Sequence, residues 1–491
     1  MSEEKNNTIT EEELIQFAKR RSLDGGVESI EELAKKFYRP KKISPQMLNT
    51  WLNNPYGNVD NLQDLSQKMM LSNGILKEFI NYKSLILTND HYVYPSDSYK
   101  YKDKDSILKD ELRVAEYLDK FGVKNLIRWI TKRIYQNGEV YIYKRESKNG
   151  ILIQEIPSKI CKIIMLDENN IYRYAIDMSK IDDKDVNFYP EEIKKAYKKY
   201  KNSGKKKNDK SFVGNYYIVS NLGSAFQLNQ WDDKGLPYFL HLFPALLNLS
   251  DAQDIDNLNN AIDNYKILHQ KVLTDKNGKV LMGKGLLDLY HQALKNNAPD
   301  GVAVVTSPLD IRPIALGDGK LKNYEYVNNL KTGIYDNAGI ASELFNGNAK
   351  TKESTILSSI VDFLVPLEIQ SCVQNYLNFE LSQKFKRGKW KVQFVPTTYS
   401  NRQTEIKIER ENLTLYGSKK KYLAVLGFTP LEALNIIHAE NLLALETEMK
   451  PMQTAHTLSG KGRPTSDAET NVEDESNEGT QENREEVGEN E

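Results

Sequence analysis

Residues 341–386 read ASELFNGNAKTKESTILSSIVDFLVPLEIQSCVQNYLNFELSQKFK, and the order of parts around them decides the fold. Ile356, Ile360, Phe363, Leu364, Leu367, Cys372, Tyr376, Phe379 and Leu381 recur at helical spacing, so the second half predicts a long apolar helix. Ahead of it, Asn346-Gly347-Asn348-Ala349-Lys350-Thr351-Lys352 is polar, carries a glycine and two lysines, and offers nothing to a core. Pro366 lies inside the helical pattern. It removes a backbone donor and crowds the carbonyl four residues earlier, which predicts a kink near residues 362–366. On pattern alone the unit is a surface loop followed by a buried helix; its neighbours suggest more.

The chain has 491 residues, 39% of them hydrophobic, enough for a large core with several subdomains. No run of 18 or more apolar residues occurs, so no membrane span is expected. The opening MSEEKNNTITEEE is acidic and polar, unlike a secretory signal. Cys161 and Cys372 suit a reducing compartment and supply neither a disulfide framework nor a zinc site. The net charge of −1 conceals an asymmetry. Residues 465–491 hold eleven acidic residues against one arginine, a net of −10, which leaves about +9 on residues 1–464. Basic runs are limited to 205–207 and 419–421, so tight, sequence-reading nucleic-acid binding is not indicated.

Helix-start signals come early. Thr10 with Glu13, and Ser29 with Glu32, have capping-box spacing, while Ser44-Pro45 pairs an N-cap with proline at the first helical position. Helices are expected at 62–71 and 75–87, then an amphipathic pair over 106–135 parted by Gly122. The period then changes to two: 140–143, 151–156, 161–166 and 171–176 predict an antiparallel meander. The lysine-rich stretch 194–210 is expected as an exposed insertion. From Gly235 the pattern turns helical, with Leu246, Leu249, Ile255, Leu258, Ile262, Tyr265 and Leu268 on one face. A hairpin at 272–282 around Asn277-Gly278, a short helix at 286–294 and strands at 302–306 and 311–314 precede a second amphipathic helix over 321–344. Beyond the opening stretch, 390–396 and 404–411 predict strands that return to the earlier sheet. Thr429-Pro430 starts a helix expected to reach about Met449. The fold class is α+β.

A small α/β module between two long helices, then ELFNG, a polar loop and a long apolar helix, resembles the portal proteins of tailed bacteriophages. The likeness is to the siphophage head-to-tail connector subunit, over roughly residues 60–464; a terminal GRP followed by an acidic tail agrees with it. The resemblance implies an N-terminal arm (1–60), a wing (61–245) and a stem helix (246–268). A clip (269–316), a second stem helix (317–345), a tunnel loop (346–354) and a tunnel helix (355–387) follow. Wing strands (388–416), a crown (417–463) and a disordered acidic tail (464–491) complete the layout. It further implies a homo-oligomeric ring, expected as a dodecamer, at one capsid vertex of the virion, assembled in the host cytoplasm. Double-stranded DNA would be packaged and ejected through it without sequence reading. The terminase large subunit, head-completion or adaptor proteins, and the major capsid and scaffold proteins would be partners. On this reading Asn346, Asn348, Lys350, Thr351 and Lys352 face DNA, and Pro366 kinks the tunnel helix. Lys276, Asn277, Lys279, Lys284, His291 and Lys295 face the packaging motor. No cofactor, metal or catalytic residue is expected.

Enzymatic motifs are fragmentary. Gly278-x-x-x-x-Gly283-Lys284 lacks the closing Ser or Thr and falls where a hairpin is expected. His438-Ala439-Glu440 lacks the P-C-x-x-C partner of a zinc deaminase. Asp251, Asp254 and Asp256 lie on one predicted helix, where a solvated or channel-facing acidic surface competes with a two-metal nuclease site. A nuclease or ATPase, and another virion structural protein such as an adaptor or minor capsid component, are the rival readings.

Overall fold

The computed structural model describes residues 43–147, 150–202, 211–228, 234–263, 266–271, 302–307, 322–340 and 362–445, and between them Leu286, Leu289, Gln292, Ala293 and Asn296. The first described helix, α1 (Pro45–Asn53), starts as its sequence predicts. Ser44 Oγ accepts from the Met47 amide at 3.2 Å, and Pro45 takes the first helical position, where an N–H would have no helical acceptor. α2 (Val59–Ser72) and α3 (Gly74–Leu85) are parted by Asn73, whose side chain caps α3 through the Leu76 amide. The strand β1 (His91–Pro95) comes next, then α4 (Lys104–Asp119) and α5 (Val123–Asn137). Gly122 between these two helices has φ +57°, a backbone region that costs a side chain strain.

Among the described residues, seven strands build one sheet: β2 (Glu139–Glu146), β3 (Ile151–Ile156), β4 (Cys161–Leu166), β5 (Tyr172–Asp177), β6 (Phe212–Val213), β7 (Tyr216–Ile218) and β8 (Gly223–Gln227). The four expected strands exist, but they do not form a simple meander. β8 inserts between β2 and β5, so the hairpins β2–β3 and β4–β5 are joined through it. Asp167 turns the β4–β5 hairpin by accepting from the amides of Asn169 and Ile171. β2 is buried on both faces. Val140 and Ile142 join the helical core of α2, α3 and α5, whereas Tyr141 and Tyr143 join a second, tyrosine-rich core. The lysine-rich stretch corrects an expectation: Glu191–Asn202 is the helix α6, and it buries Ile193, Ala196 and Tyr197 in that second core. Glu192 fastens it there, accepting from the hydroxyls of Tyr143 and Tyr217 and from the amide and hydroxyl of Ser220. Lys195, Lys198, Lys199 and Lys201 lie exposed on its other side.

α7 (Phe243–Asp263) leads to the parallel strands β9 (Lys266–Lys271) and β10 (Val302–Ser307), and α8 (Lys322–Asn337) follows. The expected first long helix thus ends at Asp263, and positions 266–268 belong to a strand. α9 (Leu364–Lys384) crosses the helical core with Ile369, Val373, Tyr376, Leu377 and Leu381 buried. β11 (Trp390–Phe394) is a strand, as expected, but it pairs with β1 instead of the seven-stranded sheet. The stretch 404–411, expected as a strand, lies in the helix α10 (Arg402–Leu415). α11 (Lys419–Leu426) is capped by Ser418 at its start and by Gly427, at φ +107°, at its end. The chain divides into two compact units, Met1–Leu431 and Glu432–Glu491. α12 (Pro430–Leu442) runs into the second of these and has no buried residue. The expected hairpin at 272–282, the strand at 311–314 and the acidic tail lie outside the described residues.

Candidate functional site: a helix pair with an inserted module, and the joint before the long helix

α7 and α8 pack side by side. Leu246 and Leu249 on α7, with Phe243 at its start, and Val327, Ile334 and Tyr335 on α8 are buried in the same cluster, at spacings that place each set on one helical face. Their inner ends are tied to the body. His241 Nε2 lies 3.1 Å from the Asn337 carbonyl oxygen, and Phe79 of α3 meets Tyr335 edge-on at 5.1 Å and Phe239 at 5.7 Å. Between the two helices in sequence stand β9 and β10, parallel and in register from Lys266–Val302 to Lys271–Ser307. Parallel strands need a crossover connection, and the helical residues Leu286, Leu289, Gln292, Ala293 and Asn296 lie within it. Leu286 and Leu289 are 48% and 61% exposed.

The entry of α7 into the body is a close backbone contact. Gly138 ends α5 at φ +84°, and a Cβ there would overlap the Leu236 backbone; one on Gly235 would overlap Gly138 itself. The buried Glu139 carboxylate accepts from the Gly235 amide at 2.7 Å, and Gln63 Nε2 donates to the carbonyls of Asn137 and Gly235. Burial raises the Glu139 pKa, while these donors oppose the rise.

The second element is the joint that precedes α9. Asp362 is helical, Phe363 follows at φ −97° and ψ −2°, and α9 begins at Leu364 with Pro366 buried in its first turn. Asp362 is 1% exposed, and two neighbouring side chains of α3 hold it. Lys83 Nζ donates to Oδ1 at 2.6 Å and to the Asp362 carbonyl at 3.2 Å, and the Tyr82 hydroxyl donates to Oδ2 at 2.9 Å. Burial lowers the Lys83 pKa, opposed by its hydrogen bond to Asp362 and then by that residue's charge; burial and then Asp362 push the Tyr82 phenol far up. Pro366, in the first turn of α9, has no N–H to offer the Asp362 carbonyl four residues earlier.

A third buried cluster joins β1, α5, α10 and the end of α11. Asp90, 1% exposed, pairs with Lys124 at 2.7 Å and Arg402 at 3.6 Å, and Lys124 also donates to the Gly427 carbonyl. Beside it, His91 Nδ1 lies 3.2 Å from the Asn89 carbonyl and its ring rests against Phe394. Burial lowers the His91 pKa to about 4; the Asn89 carbonyl raises it, Lys124 lowers it and Asp90 raises it. The unfolded chain therefore takes up a proton below about pH 6.5 that the folded chain refuses until about 4, so stability is lost as pH falls through that window. The loss amounts to about 3 kcal/mol at most. Urea unfolding from pH 7 to 4 should show that slope flattened in His91→Gln; an equal slope in both proteins would remove His91 as its source.

The residues singled out from the sequence are dispersed. Pro366 is in α9, as described. Asn346, Asn348, Lys350, Thr351 and Lys352, and Lys276, Asn277, Lys279, Lys284, His291 and Lys295, lie outside the described residues. Asp251 is exposed on α7, and His438 and Glu440 are exposed on α12. Cys161 and Cys372 are unpaired, and burial raises both thiols, Cys372 to about 11. Among the described residues no three His, Cys, Asp or Glu side chains gather to hold a metal ion. Also among them, no single helix is long and apolar enough to cross a membrane. The clusters on Asp362, Asp90 and Glu139 carry no motif; their partners come from distant parts of the chain.

No protein-family model matches the chain, and no curated protein does. Among solved structures, the chain is similar to a chain from the virion of a native gene transfer agent particle, with TM-score 0.38 and 11% sequence identity. The match covers 76% of this chain and 93% of that one.

Proposed function

We propose that this protein is a virion structural protein, specifically the portal subunit of a tailed-phage-like capsid. Copies assemble into a ring, expected as a dodecamer, at one vertex, and double-stranded DNA passes through the central hole during packaging and ejection. The subunit performs no chemistry. The observation that carries this reading is the pairing of α7 and α8 at the two ends of the β9–β10 insertion: a two-helix stalk bearing a small α/β module, rooted in a larger α+β body. The chain then continues through 341–361 to a helix whose preceding residue, Asp362, is held by α3. In this reading the module docks the terminase motor and later the head-completion proteins.

A conduit must touch DNA without gripping it. Every fixed lysine–phosphate contact steepens the salt dependence of binding, and many together would stall sliding. Ring symmetry multiplies Lys350 and Lys352 into two circles of weak, exchangeable positive charge. Negative-stain images of the purified protein test the assembly. Turbine-shaped rings with a hole wide enough for a duplex are expected; compact monomers, or closed particles without a channel, would refute it. Lys350→Ala with Lys352→Ala should leave rings intact and reduce packaged or retained DNA several-fold. Unchanged DNA in intact rings would reject the loop assignment. Magnesium-dependent cleavage or ATP turnover by the purified protein would point to the enzyme reading.

A further inference from the structure

We propose that Lys83 is a positioning residue, holding the direction in which the chain enters α9 by standing in for the amide that Pro366 lacks. In a continuous helix the carbonyl of Asp362 would receive the N–H of residue 366. Proline has none, so this buried carbonyl has no helical donor. Lys83 Nζ, reaching across from α3, donates to it at 3.2 Å and spends a second N–H on the Oδ1 of the same residue. Tyr82, adjacent in sequence, takes Oδ2. One residue thus has its backbone carbonyl and both carboxylate oxygens held by two consecutive side chains of one helix. Charge balance and backbone satisfaction come from the same ammonium group.

The arrangement is specific in a way that packing is not. Two apolar side chains could fill this volume, but they would leave the Asp362 carbonyl without a donor and would tolerate a range of angles at Phe363. A buried ion pair is costly to form and strongly destabilising to break on one side only, so it penalises every geometry but one. The lysine lies on α3, between the root of the helix pair and α9, because α3 also supplies Phe79 to Tyr335 of α8. The joint thereby couples the start of α9 to the element that roots the stalk.

A double-mutant cycle in the full chain tests this, with Lys83→Met, Pro366→Ala and both together. Lys83→Met alone is expected to lower the thermal midpoint by about 3–6 °C. Pro366→Ala restores an amide at position 366, so the double variant should recover the part of that loss that comes from the carbonyl and not from the carboxylate, although Pro366→Ala alone changes little. Simple additivity of the two substitutions would overturn the proposal. Where Lys83→Met yields no folded protein, Lys83→Gln, which keeps a donor for the Asp362 carbonyl and drops the charge, should fold and gain little from Pro366→Ala; failure of the Gln variant to fold would overturn the donor role. One readout rests on the portal reading: Lys83→Met rings should form yet retain several-fold less DNA, and full retention by intact variant rings would overturn the positioning role. If the unmodified protein forms no rings, the portal reading fails by itself, and the cycle alone decides the role of Lys83.

Discussion

Gly138→Ala is expected to lower the unfolding free energy by about 4 kcal/mol or more, the largest single effect foreseen for this chain. Two costs combine. At φ +84° a side chain incurs about 1–2 kcal/mol of backbone strain. The added Cβ would also overlap the backbone of Leu236, which has no flexible side-chain end to swing aside. Relief requires the Gly235–Leu236 segment to move. That movement breaks the Glu139 contact to the Gly235 amide and the Gln63 bridge between the Asn137 and Gly235 carbonyls. Buried polar groups left without partners add about 1–3 kcal/mol each. Urea unfolding at pH 7 measures the sum. A loss below about 1 kcal/mol would mean that the two glycine-bearing segments do not meet in solution.

Asp90→Ala comes second, at about 3 kcal/mol, the lower end of the range for removing one partner of a buried ion pair. The lower end applies because the Lys124 and Arg402 side chains are each 25% exposed, so water recovers part of their lost interaction. The effect should exceed that of a surface pair such as Lys159–Asp64, whose members are 51% and 40% exposed. Adding Lys124→Met to Asp90→Ala removes one of the stranded cations and should restore part of the loss. If the double variant is as unstable as the two single losses summed, Asp90 and Lys124 are not energetically coupled.

Local pattern carried much of the architecture. Ser44-Pro45 announced the start of α1, Gly122 the division between α4 and α5, and the alternation of apolar residues the strands β2 to β5. Other elements were misread for reasons visible in the residues. Ile406 and Ile408 alternate as in a strand, yet on α10 they point to different sides: Ile406 packs near Val395, Ala424 and Val425, while Ile408 is 43% exposed. The Glu, Arg, Lys and Gln around them are strong helix formers, and that weight decided the outcome. In α6 the lysines drew attention from Ile193, Ala196, Tyr197 and Tyr200, which stand at i, i+3, i+4 and i+7.

Strand order is a different matter. Nothing within Gly223–Gln227 says that it inserts between β2 and β5, because that choice depends on pairing across the whole sheet. The same holds for the buried charges. Lys83 and Asp362 are 279 positions apart, and each alone reads as a surface residue. Pro366 is visible in the sequence, but the lysine that reaches the Asp362 carbonyl could come only from three dimensions.

The two-stranded sheet of β1 and β11 has a consequence for biosynthesis. His91 pairs with Phe394, and the Thr88 amide donates to the Thr397 carbonyl, so the first third of the chain waits for its last quarter before this sheet can close. Until then, Val93 and the apolar sides of α3 and α5 leave the ribosome without Trp390, Val392, Tyr376 and Leu377 to cover them. Such late, non-local closure slows folding and leaves nascent chains open to misassociation, the condition under which chaperones are recruited. Fragments that stop short of residue 390 should accordingly be recovered as aggregates, whereas chains extended past residue 398 can seal the sheet and stay dispersed.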